Sequence, residues 1–175
     1  MKVILNAGQI TARIKELADS IVSEAPAGVD IAVIGIRRRG EVLAQRLSQQ
    51  LSELLGRVIR CGALDITLYR DDLNSHQGPD QPQVRTTEIG FSIDEKDIIL
   101  ADDVIYTGRS TRAAMDALID LGRPRVIKLA VLVERPGREL PVQPDYVGYK
   151  ADVAPGKLVQ VNFVESDGKD EVVVE

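Results

Sequence analysis

The chain has 175 residues, 44% of them apolar and 28% charged, with 27 acidic against 22 basic side chains and a formal charge of −5. This composition closes one hydrophobic core, which excludes a disordered or fibrous chain, and its acidic balance argues against unspecific nucleic-acid binding as the main activity. The longest apolar runs, 31–36 and 127–133, fall far short of the ~20 residues that span a bilayer. The N-terminus lacks the apolar core of a secretory leader, so a cytoplasmic setting is expected. One cysteine, Cys61, and one histidine, His76, leave no internal disulfide and no zinc cluster, while oxygen-ligated metals stay open.

Two kinds of apolar period alternate along the chain. Ile10, Ile14, Leu17, Ile21 and Ala25 recur at helical spacing and predict an amphipathic helix over 9–25. A short buried strand over 30–36 comes next, then a helix marked by Leu43, Leu47, Leu51 and Leu54 that ends near Gly56. Strands are expected over 60–68 and 97–101, the second followed directly by Asp102. Ala114, Ala117, Leu118 and Leu121 mark a third helix, closed by Gly122 and Pro124. A strand over 126–133 follows, and the tail from Lys157 reads as a hairpin around Ser166-Asp167-Gly168-Lys169. Strands alternating with helices give an α/β fold with a mainly parallel sheet covered on both faces. Ligands of such sheets lie beyond the carboxyl ends of the strands. The stretch 69–88 is polar, holds Gly78, Pro79 and Pro82, and has no apolar period. It reads as a functional loop or a surface insertion.

Chemistry concentrates at 98–111, IILADDVIYTGRST. A buried strand delivers the adjacent carboxylates Asp102 and Asp103, and Thr107, Gly108, Arg109, Ser110 and Thr111 then open a helix. Free N–H groups at that helix start, with hydroxyls and a guanidinium, make a phosphate cradle. Two acids beside a phosphate repel it unless they bind sugar hydroxyls, a cation or both. The bland alternative is a turn with an ordinary Thr107 cap. The segment 35–40, GIRRRG, has the outer glycines of a P-loop, but Glu41-Val42 replaces the required Lys-Ser/Thr, and no GxGxxG follows a strand. What remains is a strand end followed by Arg37, Arg38, Arg39 and Gly40, suited to a pyrophosphate or, more blandly, a solvated basic turn.

The segment 98–111 resembles the phosphoribosyl-pyrophosphate motif of type I phosphoribosyltransferases. GIRRRG, DITLYRDDL, DDVIYTGRSTRAAMDAL, GRPRVIKLAVLVERPGRELP, DYVGY and NFVESDGKDEVVV are similar, in order and spacing, to the PyrR subfamily of pyrimidine-operon regulators with uracil phosphoribosyltransferase activity. The resemblance covers nearly the whole chain, and DITLYRDD and ERPGRELP are its most diagnostic segments. It implies the type I phosphoribosyltransferase fold as a single domain over 1–175, with a flexible loop at about 69–88 and a small hood at about 134–160 completed by the C-terminal tail.

The implied reaction is uracil plus phosphoribosyl pyrophosphate to UMP plus pyrophosphate, with Mg2+. By the same resemblance Asp102 and Asp103 bind the ribose hydroxyls, and the metal through water or substrate. Tyr106 through Thr111 hold the 5′-phosphate end, Arg38, Arg39 and Gly40 the pyrophosphate, and Tyr69 and Arg70 come in with the closing loop. Val133, Glu134 and Arg135 are the implied base-binding residues. Purine enzymes of this fold place a Lys where Glu134 stands and an Asp where Tyr106 stands, and both differences point away from a 6-oxopurine. UMP and UTP are implied effectors, and a homo-oligomer, dimer or higher, is expected.

The subfamily's RNA face is where this chain departs. The first helix shows Lys15 beside Glu16, Asp19 and Glu24; Gly137 stands in the histidine position, leaving Arg138; and Tyr149-Lys150-Ala151-Asp152 replaces a more basic stretch. A carboxylate facing a phosphate exchanges attraction for repulsion, which weakens the salt-dependent part of RNA binding. The alternatives are a UMP/UTP-sensing, RNA-binding attenuation regulator with weak or no turnover, and a phosphoribosyltransferase for another base.

Overall fold

The computed structural model describes residues 1–73 and 84–175, so the middle of the expected 69–88 loop lies outside the described residues. In chain order the elements are β1 (Lys2–Asn6), α1 (Ala7–Glu24), β2 (Ile31–Ile36), α2 (Arg39–Leu55), β3 (Arg60–Leu64), β4 (Asp97–Ile105), α3 (Arg109–Leu121), β5 (Val126–Glu134), β6 (Tyr146–Lys150), β7 (Val159–Asn162), the single turn α4 (Val164–Asp167) and β8 (Glu171–Val174). Five strands in the order β3-β2-β4-β5-β6 form a sheet in which every pair is parallel. A second, antiparallel sheet in the order β1-β8-β7 joins the two ends of the chain. The expected α/β architecture, a parallel sheet flanked by helices, is the one the chain forms.

The side-chain alternation of the central strands explains the two layers. Ile99 and Ala101 of β4 face one core with Ile10, Ile14, Leu17 and Ile21 of α1 and Leu43, Leu47 and Leu51 of α2. Ile98 and Leu100 face the other, with Ala113, Ala114, Ala117 and Leu118 of α3. A strand buried on both faces must read as a continuous apolar run, and β2 is buried at all six positions. Helix α1 starts at Ala7, two residues earlier than its apolar period shows, because a capping box holds it: Asn6 Oδ1 accepts the Gln9 N–H at 3.0 Å and Gln9 Oε1 accepts the Asn6 N–H at 2.9 Å.

Four features differ from the expected elements. Strand β1 has no strong apolar period, only Leu5 being buried, and its partner β8 lies at the far end of the chain, so pairing rather than local pattern makes it a strand. In β6, Gly148 weakens the local signal, yet a β-carbon there would sit 2.8 Å from the Leu132 carbonyl oxygen, so close strand contact requires the glycine. Strand β3 stops at Leu64 and does not run to 68, because Asp65 Oδ1 accepts from the Thr67 N–H at 3.2 Å and its hydroxyl at 2.7 Å, an Asx-turn that redirects the chain. Strand β4 runs on to Ile105, pairing Asp102 with Val131 and Val104 with Val133. The tail hairpin is present, with α4 inserted between its strands.

Candidate active site

The extension of β4 decides what Asp102 and Asp103 are. They are not turn residues; they stand inside a paired strand, and Asp102 is only 8% exposed. Burial is the main cause that pushes the Asp102 carboxyl well above its ordinary range, with the charge of Asp103 second. Burial also raises Asp103, against hydrogen bonds from Asp102 and the Val104 N–H and the attraction of Arg39. The Asp103 N–H donates to Asp102 Oδ1 at 3.0 Å. Two adjacent acids held this way offer oxygens that sugar hydroxyls or a hydrated cation can engage.

The start of α2 lies against Asp102, and the start of α3 follows the acids in the chain. A β-carbon on Gly35 would lie 2.2 Å from the Gly40 carbonyl oxygen, and one on Gly40 would lie 2.7 Å from the Ala101 carbonyl oxygen and 3.2 Å from Asp102 Oδ1. Both glycines of GIRRRG therefore seat the start of α2 against β2 and beside Asp102. The positive end of α2 and the Arg38-Arg39 turn lie there. Gly108, at φ +91°, caps α3 without a side-chain bond. Thr107 Oγ1 accepts the Arg109 N–H at 3.3 Å, and the remaining first-turn N–H groups have no helical partner. The Thr107 carbonyl accepts from the Glu139 and Leu140 N–H groups at 3.0 and 3.1 Å, which fixes this loop to the ERPGRELP segment. Ser110 is exposed and Thr111 buried.

Not every expected residue meets here. The Arg109 guanidinium bridges Glu139 at 2.7 Å and Asp71 at 2.6 Å, tying the start of the long loop to the segment after β5. Tyr69 donates its phenol to Asp120 at 2.7 Å, and its carbonyl accepts from Arg112 at 2.8 Å, so it lies along the outer face of α3. Asp120 is about 15 Å of helix rise beyond Ser110, which places the phenol away from Asp102 and Asp103. Arg70 is paired with Asp72 at 2.6 Å. The Tyr69 phenol thus stands off the acid pair in this conformation, and the Arg70 guanidinium is engaged by its own loop. Among the wall residues expected for the base, Val133 is wholly enclosed in the core, so its side chain cannot line a pocket. Glu134 accepts from Arg138 at 2.9 Å and lies 3.8 Å from Lys150. A hollow of about 290 Å³ opens between residues 134–138 and Lys150-Ala151.

Tyr106 packs against Arg135 and Gly137 of this segment. The buried Arg135 lies over its ring at 4.1 Å, its Nη1 donating to the Lys157 carbonyl and its Nε without a partner. Arg138 donates to the Tyr106 carbonyl through Nη1. Arg138, the cation left on the expected RNA face, is thus engaged by Glu134 and the Tyr106 carbonyl.

Sequence reading missed two residues. Asp65 holds both stems of the long loop: Oδ1 makes the turn at Thr67, Oδ2 accepts the Arg85 N–H at 2.7 Å, and its own N–H donates to Thr87 at 3.0 Å. Its place at the head of DITLYRDD was the available signal. Asp167 takes the Arg39 guanidinium through two hydrogen bonds, at 2.9 and 3.2 Å. Acidic residues in the tail turn, set against an arginine-rich turn, were its only trace.

A phosphoribosyl transferase domain matches residues 2–164. The chain belongs to the phosphoribosyl transferase family. Bifunctional protein PyrR of Pelotomaculum thermopropionicum is 45% identical over 171 residues, covering 98% of this chain and 93% of that protein. The protein of the same name from Deinococcus deserti is 48% identical over 169 residues, covering 97% and 91%. These relatives put this phosphoribosyltransferase on the PyrR branch, as the resemblance implied. A crystal structure of the hypoxanthine phosphoribosyltransferase of Trypanosoma cruzi matches with a TM-score of 0.72 over 99% of this chain and 95% of that one. At 18% identity it shows the shared fold alone.

Proposed function

We propose that the chain transfers the phosphoribosyl group of phosphoribosyl pyrophosphate to uracil, giving UMP and pyrophosphate in pyrimidine salvage, and that it also regulates pyrimidine-gene transcription. The observation that carries this reading is the Asp102–Asp103 pair inside β4, with Asp102 buried and the start of α2 seated against it, followed in the chain by the start of α3. The acids accept the ribose 2′- and 3′-hydroxyl protons in hydrogen bonds. The first turn of α3, with Thr107, Gly108, Ser110 and Thr111, takes the 5′-phosphate. Arg38, Arg39 and Gly40 at the start of α2 take the pyrophosphate and stabilise the charge it gains as it leaves. Displacement at the anomeric carbon passes through an oxocarbenium-like state and needs no covalent nucleophile.

Mg2+ suits this site as a partner of the substrate. Among the described residues no three His, Cys, Asp or Glu side chains converge into a metal cage, but two adjacent carboxyl groups fit a hydrated cation held mainly by substrate oxygens. When bound, Mg2+ supplies neutralising charge at the pyrophosphate. Uracil is supported over a 6-oxopurine by Glu134, whose carboxylate accepts and cannot donate to a carbonyl as a lysine does, and by Tyr106, a phenol stacked on Arg135 where purine enzymes carry an acid.

In the same reading residues 134–160 and the tail form the hood, and the 69–88 loop moves to bring Tyr69 and Arg70 inward and exclude water. UMP and UTP occupy the same pocket as regulatory ligands, and the protein works in the cytoplasm as a homo-oligomer. The name of the relatives, bifunctional, supports the regulatory half. The RNA contact differs from the family pattern: Arg13 is paired with Glu16 at 2.7 Å and Arg138 with Glu134, so these cations are already neutralised. The test is formation of UMP from uracil, phosphoribosyl pyrophosphate and Mg2+. UMP that appears only when all three are present supports the reading, and no UMP contradicts it.

A further inference from the structure

The C-terminal turn is fixed to helix α2 more firmly than an exposed turn requires. Arg46 makes two hydrogen bonds to Glu165, the longer 2.9 Å, and two to Asp170, both 2.8 Å, and its guanidinium lies 4.8 Å from the centre of the buried Phe163 ring. Inside the turn, Asp170 accepts the Val164 N–H at 2.8 Å, and Asp167 Oδ2 accepts the Phe163 N–H at 3.0 Å and the Ser166 hydroxyl at 2.6 Å. The Asp167 carboxylate is therefore held from its own side before it meets Arg39. It meets Arg39 edge-on, taking Nε at 3.2 Å and Nη2 at 2.9 Å.

We propose that Asp167 is a positioning residue for pyrophosphate, fixing the Arg39 guanidinium in the orientation in which it receives the leaving group. A guanidinium has five N–H donors in a planar fork. Asp167 occupies the Nε–Nη2 edge, which leaves both hydrogens of Nη1 and one of Nη2 as a second edge able to grip a phosphate oxygen pair. Arg39 stands at the first position of α2, where the helix dipole favours an anion, and the charge of Asp103 acts on it from the strand side. A long side chain at a helix start would otherwise sample many rotamers. Held between a tail carboxylate and the strand acid, it is set before substrate arrives. The opposite role, in which Asp167 sequesters Arg39 and competes with pyrophosphate, would require the anion to need the edge that Asp167 occupies.

The inference rests on the reading of Arg39 as a pyrophosphate ligand, so the experiment separates the two. Steady-state rates of UMP formation are measured for the wild type, Arg39→Lys, Asp167→Asn, Asp167→Glu, the double variant Arg39→Lys/Asp167→Asn, and Glu165→Gln, with a melting temperature for each. Asp167→Asn is expected to raise KM for phosphoribosyl pyrophosphate about fivefold or more with KM for uracil little changed. Asp167→Glu should recover part of that loss, and the double variant should be no worse than Arg39→Lys alone. Glu165→Gln loosens the same turn without touching Arg39 and should leave KM for phosphoribosyl pyrophosphate unchanged. An unchanged or lower KM in Asp167→Asn overturns the proposal, as does an equal rise in Glu165→Gln, which would make the role one of docking. If Arg39→Lys itself leaves that KM unchanged, Arg39 is not at the pyrophosphate and the parent assignment falls with it.

Discussion

Gly137 lies so close to Tyr106 that a β-carbon at 137 would sit 2.2 Å from the ring Cε2. With its φ of +122°, the position is doubly closed to any other residue. The PyrR resemblance puts a histidine at this point, and here a side chain at 137 would meet the edge of the Tyr106 ring. Glycine at 137 thus leaves no cation at that point of the expected RNA face and lets the Tyr106 ring lie against the backbone.

Gly137→Ala is accordingly expected to lower the melting temperature by about 3 to 8 °C, from backbone strain of about 1 to 3 kcal/mol. It should also raise KM for uracil, because the ring must move. A thermal melt and uracil kinetics check both, and a variant matching the wild type would remove Tyr106 from the wall.

The buried acids make a pH prediction. The folded protein raises the Asp102 carboxyl well above its ordinary range. A raised acid gives its full contribution to stability below the unfolded value, near 4, and that contribution is lost as pH rises through the folded value. Asp102→Asn removes this loss. Without ligand it should therefore melt higher than the wild type at pH 8, the gap closing toward pH 4, while turnover falls at least about tenfold. A gap of the opposite sign at pH 8 would show that the acid is already compensated within the chain.

Asp65→Ala removes the turn that ends β3 and the tether to Arg85 together. The expected result is a stability loss of about 1 to 2 kcal/mol, with lower turnover because both stems of the long loop lose their common anchor. Normal turnover would separate the loop's anchoring from catalysis.

The tail supplies an acid limb. Hydrogen bonds from Arg46 lower both Glu165 and Asp170, and those from Arg39 lower Asp167. A lowered acid contributes stability above its unfolded value that is lost as pH falls through the folded one, here below about pH 4. Arg46→Met should cost about 2 kcal/mol at neutral pH and flatten that acid limb. A limb as steep as the wild type's would assign acid unfolding to other groups.

These relationships also mark how far the amino-acid sequence could be read. Strand β2, helix α2, the first half of β4, helix α3 and β5 carry strong local periods, and the fold class followed from them, while the Asp102–Thr111 segment was legible from its residue types. Strand β1 and strand β6 depend on distant partners or on a glycine demanded by close approach, and local pattern carries neither. The Arg39–Asp167 pair bridges 128 positions of the chain, so no spacing rule reaches it. Tyr69 was expected in the loop but closes a 3-10 turn over Thr67–Tyr69, and its phenol is bound to Asp120 of α3, an outcome set by tertiary contact rather than by motif.

The central claim is the identity of the acceptor base. Pyrophosphate release is measured from phosphoribosyl pyrophosphate and Mg2+ with uracil, orotate, hypoxanthine, guanine and xanthine offered separately. With Glu134 and Tyr106 assigned to the base as proposed, release is expected with uracil alone. Release with hypoxanthine or guanine, or with no base at all, would contradict it.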